Sequence, residues 1–202
     1  MTRFFKLLSY LFHPIFMPVF GSLLYFGLSP RYIPRGLMYA KLFGIAIMTI
    51  LVPILFFLLF KNLKIVSSIF LEEVSQRKIP LLAQITLLLF ILRTVLEGYE
   101  FPELHYFFVG ILFSSVLALI LVLIRIKASL HSAGISGVLT FITALSIHFN
   151  ENIIVLLALL VLLTGALITA RLFLKAHTPA EIVWGLVVGV APQLLVTYAW
   201  LQ

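Results

Sequence analysis

Long apolar runs alternate with short polar connections along the whole chain. A helix needs about 20 residues to cross a bilayer. On that measure seven runs are candidate membrane spans, at roughly 8–27, 38–60, 80–98, 103–124, 130–149, 152–170 and 178–200. The runs are too long and too uniformly apolar for barrel strands, and a helix satisfies its own backbone polar groups in lipid. The pattern predicts an all-α, polytopic transmembrane helix bundle with six to seven spans.

The first run is the least regular of the seven. Pro14 and Pro18 fall inside it, and proline breaks or kinks a helix. The run therefore either crosses the membrane with a kink or is partly re-entrant. Its basic N-terminus resembles the start of a signal peptide, but the run contains His13 and both prolines and has no obvious small-residue cleavage site. We expect it to be a retained span.

Composition supports an integral membrane protein. The 202 residues are 63% hydrophobic and 10% charged, whereas soluble domains carry about 25% charged residues. No linker or repeat divides the chain, so we expect one membrane domain over residues 1–202, with N-terminal spans in 1–60 and the functional core in 61–200. The chain has no cysteine, which excludes disulfides, thiolate nucleophiles and zinc–thiolate sites.

The positive charges are unevenly divided between the two faces of the predicted bundle. The chain has 14 Lys and Arg residues against 7 Asp and Glu, a net charge of +7. Alternating spans place ten of the 14 on the N-terminal face: Arg3, Lys6, Lys61, Lys64, Arg77, Lys78, Arg125, Lys127, Arg171 and Lys175. The positive-inside rule makes that face cytoplasmic, in the cell membrane. Arg93 lies within the third span, four residues before Glu97, and is predicted to pair with it.

Three connections emerge together on the N-terminal face, at 61–79, 125–131 and 171–177. Each carries basic residues, and two carry a histidine, His131 or His177. A charge near the bilayer core costs at least ~2.5–3.5 kcal/mol. So many ionisable groups at span ends therefore predict a site for an anion at the membrane surface.

The spacing of these residues resembles a known family. Arg171-x5-His177-x3-Glu181 is similar to SRxxxxxHxxxD, the third signature of the type 2 phosphatidic acid phosphatase superfamily of membrane lipid phosphatases. Ala170 replaces the serine, and glutamate replaces the aspartate. The second signature, PSGH, is matched only at the histidine by Ser129-Leu130-His131-Ser132. Arg77-Lys78-Ile79-Pro80 is the candidate for the first, KxxxxxxRP. The resemblance covers roughly residues 61–190.

This resemblance implies a lipid phosphatase that works through a phosphohistidine. His177 would attack phosphorus, Glu181 would hold the other nitrogen of its ring, and His131 would be the general acid and base. Phosphate binding would fall to the remaining basic residues, Arg171, Arg77, Lys78 and Lys127. No metal or other cofactor is implied. The substrate would be a polyprenyl phosphate or pyrophosphate, or a phosphatidate-like lipid. The partners are membrane lipids bearing a phosphate, without nucleic acid, and the oligomeric state stays open.

Several of these residues also have structural explanations. Thr178-Pro179-Ala180-Glu181 reads as a helix capping box, and Arg171 and Lys175 suit snorkelling at a span end. We expect the other three histidines to be structural, with His105 at the opposite end near Glu103. Gly134-x-x-Gly137 and Gly185-x3-Gly189 predict close helix packing. Lys61, Lys64, Glu72 and Glu73 are predicted to form a solvated surface segment, and the alternative is an amphipathic stretch over 63–73 that lies along the headgroups.

Two other functions remain open. The departures from the first and second signatures favour a relative that binds or transfers lipid phosphates without hydrolysis. A small transporter or scaffold would use the same charges only to anchor helices. That reading has less support, because transport pathways need polar groups at mid-membrane depth and the spans carry few.

Overall fold

Seven helical units build the described part of the protein. The structure is a computed structural model that describes residues 1–66 and 73–200. The units that are long and apolar enough to cross a membrane are Thr2–Leu28, Arg35–Asn62, Ser75–Thr94, Pro102–Leu123, Leu130–Phe149, Ile154–Phe173 and Pro179–Trp200. No strand occurs in those two ranges. The predicted all-α multi-pass bundle is confirmed. Residues 67–72, which include Glu72 of the predicted surface segment and much of the alternative amphipathic stretch 63–73, lie outside the described residues.

The first two units are interrupted. Helix α1 (Thr2–Leu11) and helix α2 (Met17–Leu28) are separated by a 3-10 turn at Pro14–Phe16, as the prolines predicted. Helix α3 (Arg35–Ala46) continues through a π-helical segment, Ile47–Leu51, into α4 (Val52–Asn62). Pro53 lies just after that segment and has no N–H to donate, which accounts for the change in helical hydrogen bonding there.

The remaining five units are single helices. They are α5 (Lys78–Thr94, preceded by a 3-10 turn at Ser75–Arg77), α6 (Pro102–Leu123), α7 (Leu130–Phe149), α8 (Ile154–Phe173) and α9 (Pro179–Trp200). Helix α7 is the most enclosed, and it packs against α2, α8 and above all α9. Helix α9 also packs on α6, and α6 on α5. At the centre the Phe107 and Phe141 rings stack with centroids 4.3 Å apart.

Helices α7 and α9 approach each other closely because α9 presents glycines to α7. A Cβ atom at Gly185 would overlap the Ser129 carbonyl, and one at Gly189 would overlap Ser136 Oγ and the Ala133 carbonyl. Any side chain at these two positions would push the helices apart. The close-packing role predicted for Gly185-x3-Gly189 is confirmed.

At the bundle end remote from the predicted site, charges neutralise one another. The Glu103 side chain is 2% exposed and accepts hydrogen bonds from Arg31 and from the Tyr25 hydroxyl. His148 Nε2 lies 3.2 Å from the same carboxylate. Lys41 forms an ion pair with Glu100. These contacts link α2, α6 and α7 and join α3 to the α5–α6 connection.

His105 lies at this end, as expected, and its Nδ1 is 2.7 Å from the Leu96 carbonyl. One expectation about this region needs correction. Within the described ranges, Arg93 and Glu97 do not form the predicted ion pair. Helix α5 ends at Thr94, so the two side chains are not one helical turn apart.

The α7–α9 contact generates a prediction about stability. Gly189→Val should destabilise the protein by at least the ~1–3 kcal/mol typical of overpacking, because the new side chain overlaps α7 backbone. Thermal unfolding of the detergent-purified protein would show this as a lowered Tm. Gly165→Ala on α8 is the matched control, since a Cβ atom there meets nothing within 4 Å. An unchanged Tm for Gly189→Val would contradict the packing described here.

Candidate active site

Six of the residues predicted from the sequence come together at one end of the bundle. Helices α5, α7 and α9 begin at this end, and α8 finishes there, so their terminal turns converge. They are Arg77 in the turn before α5, Lys127 in the α6–α7 connection, His131 in the first turn of α7, Arg171 in the last turn of α8, His177 in the α8–α9 connection and Glu181 in the first turn of α9. We call these six residues the basic cluster.

His177 has a fixed tautomer. Its Nδ1 lies 2.5 Å from Glu181 Oε2. A carboxylate only accepts hydrogen bonds, so Nδ1 carries the proton and donates it. The lone pair of the neutral ring is therefore on Nε2. The side chain is only 5% exposed, and the ring is held in one orientation.

The surroundings of His177 favour its neutral form. Burial lowers the pKa of His177 from 6.5 to about 4, and the charges of Arg171 and Lys127 act in the same direction. The hydrogen bond to Glu181 opposes this shift but does not cancel it. At neutral pH the imidazole is uncharged, which is the protonation state that a nucleophile requires.

Glu181 links the parts of the cluster. Its carboxylate also lies 3.6 Å from Lys127 Nζ. Its backbone N–H donates to Thr178 Oγ1 at 3.3 Å, which confirms the predicted N-cap. Its backbone carbonyl accepts from the Ser129 N–H at 2.9 Å, which connects the start of α9 to the start of α7. The cap and the contact with His177 therefore coexist.

Two arginines contribute buried positive charge. Arg77 is 5% exposed and donates to the Ala128 carbonyl at 2.9 Å. Its charge lies within electrostatic range of Glu181 and Arg171. The Arg171 Nε–H is buried and has no acceptor in ranges 1–66 and 73–200. A buried charged donor without a partner is destabilising, and an oxygen atom of a bound anion would satisfy it.

The structure adds His13 to the candidate residues. His131 Nε2 lies 3.2 Å from the Ser9 carbonyl, so it carries the proton and Nδ1 is the nitrogen with the lone pair. The His13 ring stands edge-on to His131, with centroids 5.2 Å apart. We expected His13 to be structural, because nothing in the sequence placed it on the same face as His131 and His177. The positive charge of Arg171 lies within electrostatic range of both the His13 and the His131 ring.

Lys78 is the one predicted site residue outside the cluster. It is exposed, and within the described ranges its side chain makes no hydrogen bond or ion pair with the six. The 3-10 turn before α5 directs Arg77 inward, so Lys78, the next residue along the helix, points elsewhere. No group of three or more His, Cys, Asp or Glu residues comes together in the described part at spacings suited to a metal ion.

Charge is balanced differently at the two ends of the bundle. The described contacts at the remote end pair Arg31 with Glu103 and Lys41 with Glu100. Within residues 1–66 and 73–200, the basic cluster instead sets one carboxylate, Glu181, against three cations: Arg77, Lys127 and Arg171. The excess of positive charge, together with the unpaired Arg171 donor, favours an anionic ligand.

Comparison of the chain with protein-family models, curated proteins and solved structures finds no match. The geometry of the cluster therefore carries the functional argument, and the phosphatase resemblance stays a hypothesis.

The protonation state of His177 is directly testable. In nitrogen NMR of the histidine-labelled protein, the His177 signal is assigned by its absence from the spectrum of His177→Gln. That signal should show an Nδ1–H tautomer that gains a second proton only near pH 4. An unfolded histidine protonates near pH 6.5. Between these two pH values the unfolded state binds more protons than the folded state. His177 should therefore lower the free energy of unfolding as the pH falls from about 6.5 to about 4. A midpoint near pH 6.5 would contradict the described environment.

Proposed function

We propose that the protein is a membrane phosphatase that hydrolyses the phosphate ester or pyrophosphate of a long-chain lipid through a phosphohistidine at His177. The carrying observation is the His177–Glu181 pair, in which a neutral imidazole keeps its lone pair on Nε2 and lies near two cations, Arg171 and Lys127. Oxyanion charge that develops on phosphoryl transfer is stabilised most by cations already held in place. Arg77 and Arg171 are held in this way by the surrounding helices.

The first step transfers the phosphoryl group to the enzyme. His177 Nε2 attacks phosphorus, and the bond from phosphorus to the lipid oxygen breaks. His131 Nδ1 takes a proton from the hydroxyl of a monoprotonated substrate phosphate and passes it to the departing oxygen, since its own Nε2–H is engaged with the Ser9 carbonyl. Glu181 stabilises the positive charge that forms on the His177 ring. Arg77, Arg171 and Lys127 offset the negative charge on the phosphoryl oxygens.

The second step regenerates the enzyme. His131 Nδ1, now without its proton, removes one from a water molecule. The resulting hydroxide attacks phosphorus, the bond from phosphorus to His177 Nε2 breaks, and inorganic phosphate leaves. His131 passes this proton to the departing phosphate and returns to its neutral form, with the lone pair on Nδ1. The positive-inside rule favours a cytoplasmic site face in the cell membrane.

A second candidate function is binding or transfer of lipid phosphates without hydrolysis. The Lys127–Glu181 contact of 3.6 Å favours it, because this cation competes with His177 for the carboxylate that would stabilise a charged ring. Such a protein would bind phosphate amphiphiles through the same cluster but release no phosphate.

Phosphate release by the detergent-purified protein tests the proposal. The substrates would be a polyprenyl phosphate, a polyprenyl pyrophosphate and a phosphatidate. His177→Ala should abolish turnover, because no other described group replaces its nucleophilic nitrogen. Arg171→Ala should lower kcat by about 10²–10³, the usual effect of removing one oxyanion-stabilising group. Glu181→Gln should lower kcat by roughly 10², through loss of the group that orients the ring.

Lys61→Ala is the matched control for loss of positive charge at this face. Lys61 is exposed in the last turn of α4 and should keep wild-type turnover. Equal Tm values for wild type and His177→Ala would show that the variant is folded. Undiminished phosphate release by a folded His177→Ala variant would overturn the mechanism. Binding of these lipids by a wild-type protein that releases no phosphate would establish the second function.

A further inference from the structure

A cavity lies within the helical spans, beside residues that neighbour the basic cluster. Its volume is about 90 Å³, which is smaller than a site for a whole small molecule. Pro14, next to His13, lines it, as do Leu130, Ala133 and Gly134, which flank His131 on α7. The cavity therefore borders the cluster near the start of α7. A lipid phosphate at the cluster would bring the part of the lipid nearest its phosphate here.

The walls of this cavity include polar groups without hydrogen-bond partners. Gln84 is exposed in the span of α5, and no group in ranges 1–66 and 73–200 hydrogen-bonds its carboxamide. Ser114 is half-buried on α6 and also lacks a partner there. Most hydroxyls in the neighbouring spans bond to a carbonyl one turn back on their own helix, as Ser115 does to Ile111 at 2.9 Å. An unpaired polar group in hydrocarbon is unfavourable.

Gln84 and Ser114 lie at the same depth. Helices α5 and α6 run antiparallel and pack together, and Leu81 shares a buried cluster with Ala118. Gln84 is about one turn beyond Leu81 on α5, and Ser114 is about one turn before Ala118 on α6, so both lie farther from the basic cluster than that pair. Both line the cavity. Gln84 lies roughly 10 Å below Arg77, on the basis of ~1.5 Å rise per residue.

The other two polar wall residues, Ser115 and Gln193, are already engaged. The Gln193 side chain is buried between α9 and α6, close against Gly110, and its Nε2 donates to the Phe107 carbonyl at 3.0 Å. Gln84 and Ser114 are therefore the cavity side chains that still offer donors. A carboxamide has two N–H donors and a hydroxyl one, which suits a carbonyl oxygen as the ligand atom.

We propose that Gln84 and Ser114 form a hydrogen-bonding subsite for an ester or amide carbonyl of the lipid whose phosphate binds at the basic cluster. A glycerolipid or an N-acylated lipid phosphate carries such a carbonyl a few bonds below its phosphate. A polyprenyl chain carries none, and it would leave both groups unpaired. This inference rests on the proposed function, and it selects acyl-linked lipid phosphates over polyprenyl phosphates as the substrate class.

The test measures binding of two matched amphiphiles to the full-length protein in detergent. One is the phosphonate analogue of a dioctanoyl phosphatidate, and the other is the same phosphonate with ether in place of ester linkages. Neither is hydrolysed, because carbon replaces the scissile oxygen. Wild type should bind the ester about tenfold more tightly than the ether. Gln84→Leu and Ser114→Ala should each weaken ester binding about fivefold, the usual effect of one lost hydrogen bond, and leave ether binding unchanged.

Thr86→Val is the matched control on α5. The Thr86 hydroxyl is exposed, bonds to the Leu82 carbonyl of its own helix and does not line the cavity, so neither affinity should change. Equal wild-type affinity for ester and ether, or an equal loss of both in Gln84→Leu, would overturn the subsite and leave the proposed function standing. Failure of wild type to bind either phosphonate would count against the anion site itself, and the subsite would fall with it.

Discussion

The close approach of α7 and α9 is the constraint on which the basic cluster depends. Gly185 and Gly189 remove the side chains that would otherwise separate the helices, and the Ser129 N–H then reaches the Glu181 carbonyl. This contact sets the first turns of both helices side by side. His131 on one helix and the His177–Glu181 pair before the other thus face the same space. Burial of α7 among four other helices gives that arrangement its rigidity.

Charge distribution gives the two ends of the bundle different roles. Buried ions are tolerated where they are paired, and the remote end meets that condition through Glu103, Arg31 and His148. Among the described residues, the cluster end has more cations than carboxylates and a buried Arg171 donor without an acceptor. The first arrangement links helices. The second favours an anionic ligand, and the proposed function rests on that end.

The sequence predicted much of the cluster but not all of it. His177 and Glu181 are four residues apart, so local geometry alone was enough to bring them together. Alternation of spans placed the other candidates on one face of the membrane. His13 could not be predicted, because its approach to His131 depends on how α1 and α2 bend around α7. The Arg93–Glu97 pairing failed because helix α5 ends earlier than its apolar run, a boundary that tertiary packing sets.

By itself, the sequence determined the membrane-spanning helices and the face on which the basic residues lie. Lipid allows few backbone conformations, and a long apolar run must cross or remain buried. Only the tertiary structure decided which side chains at that face meet. It turned Arg77 inward and left Lys78 exposed, and it set Gln84 level with Ser114. Those choices follow from helix rotation and depth, which depend on side-chain packing between segments that lie far apart in the chain.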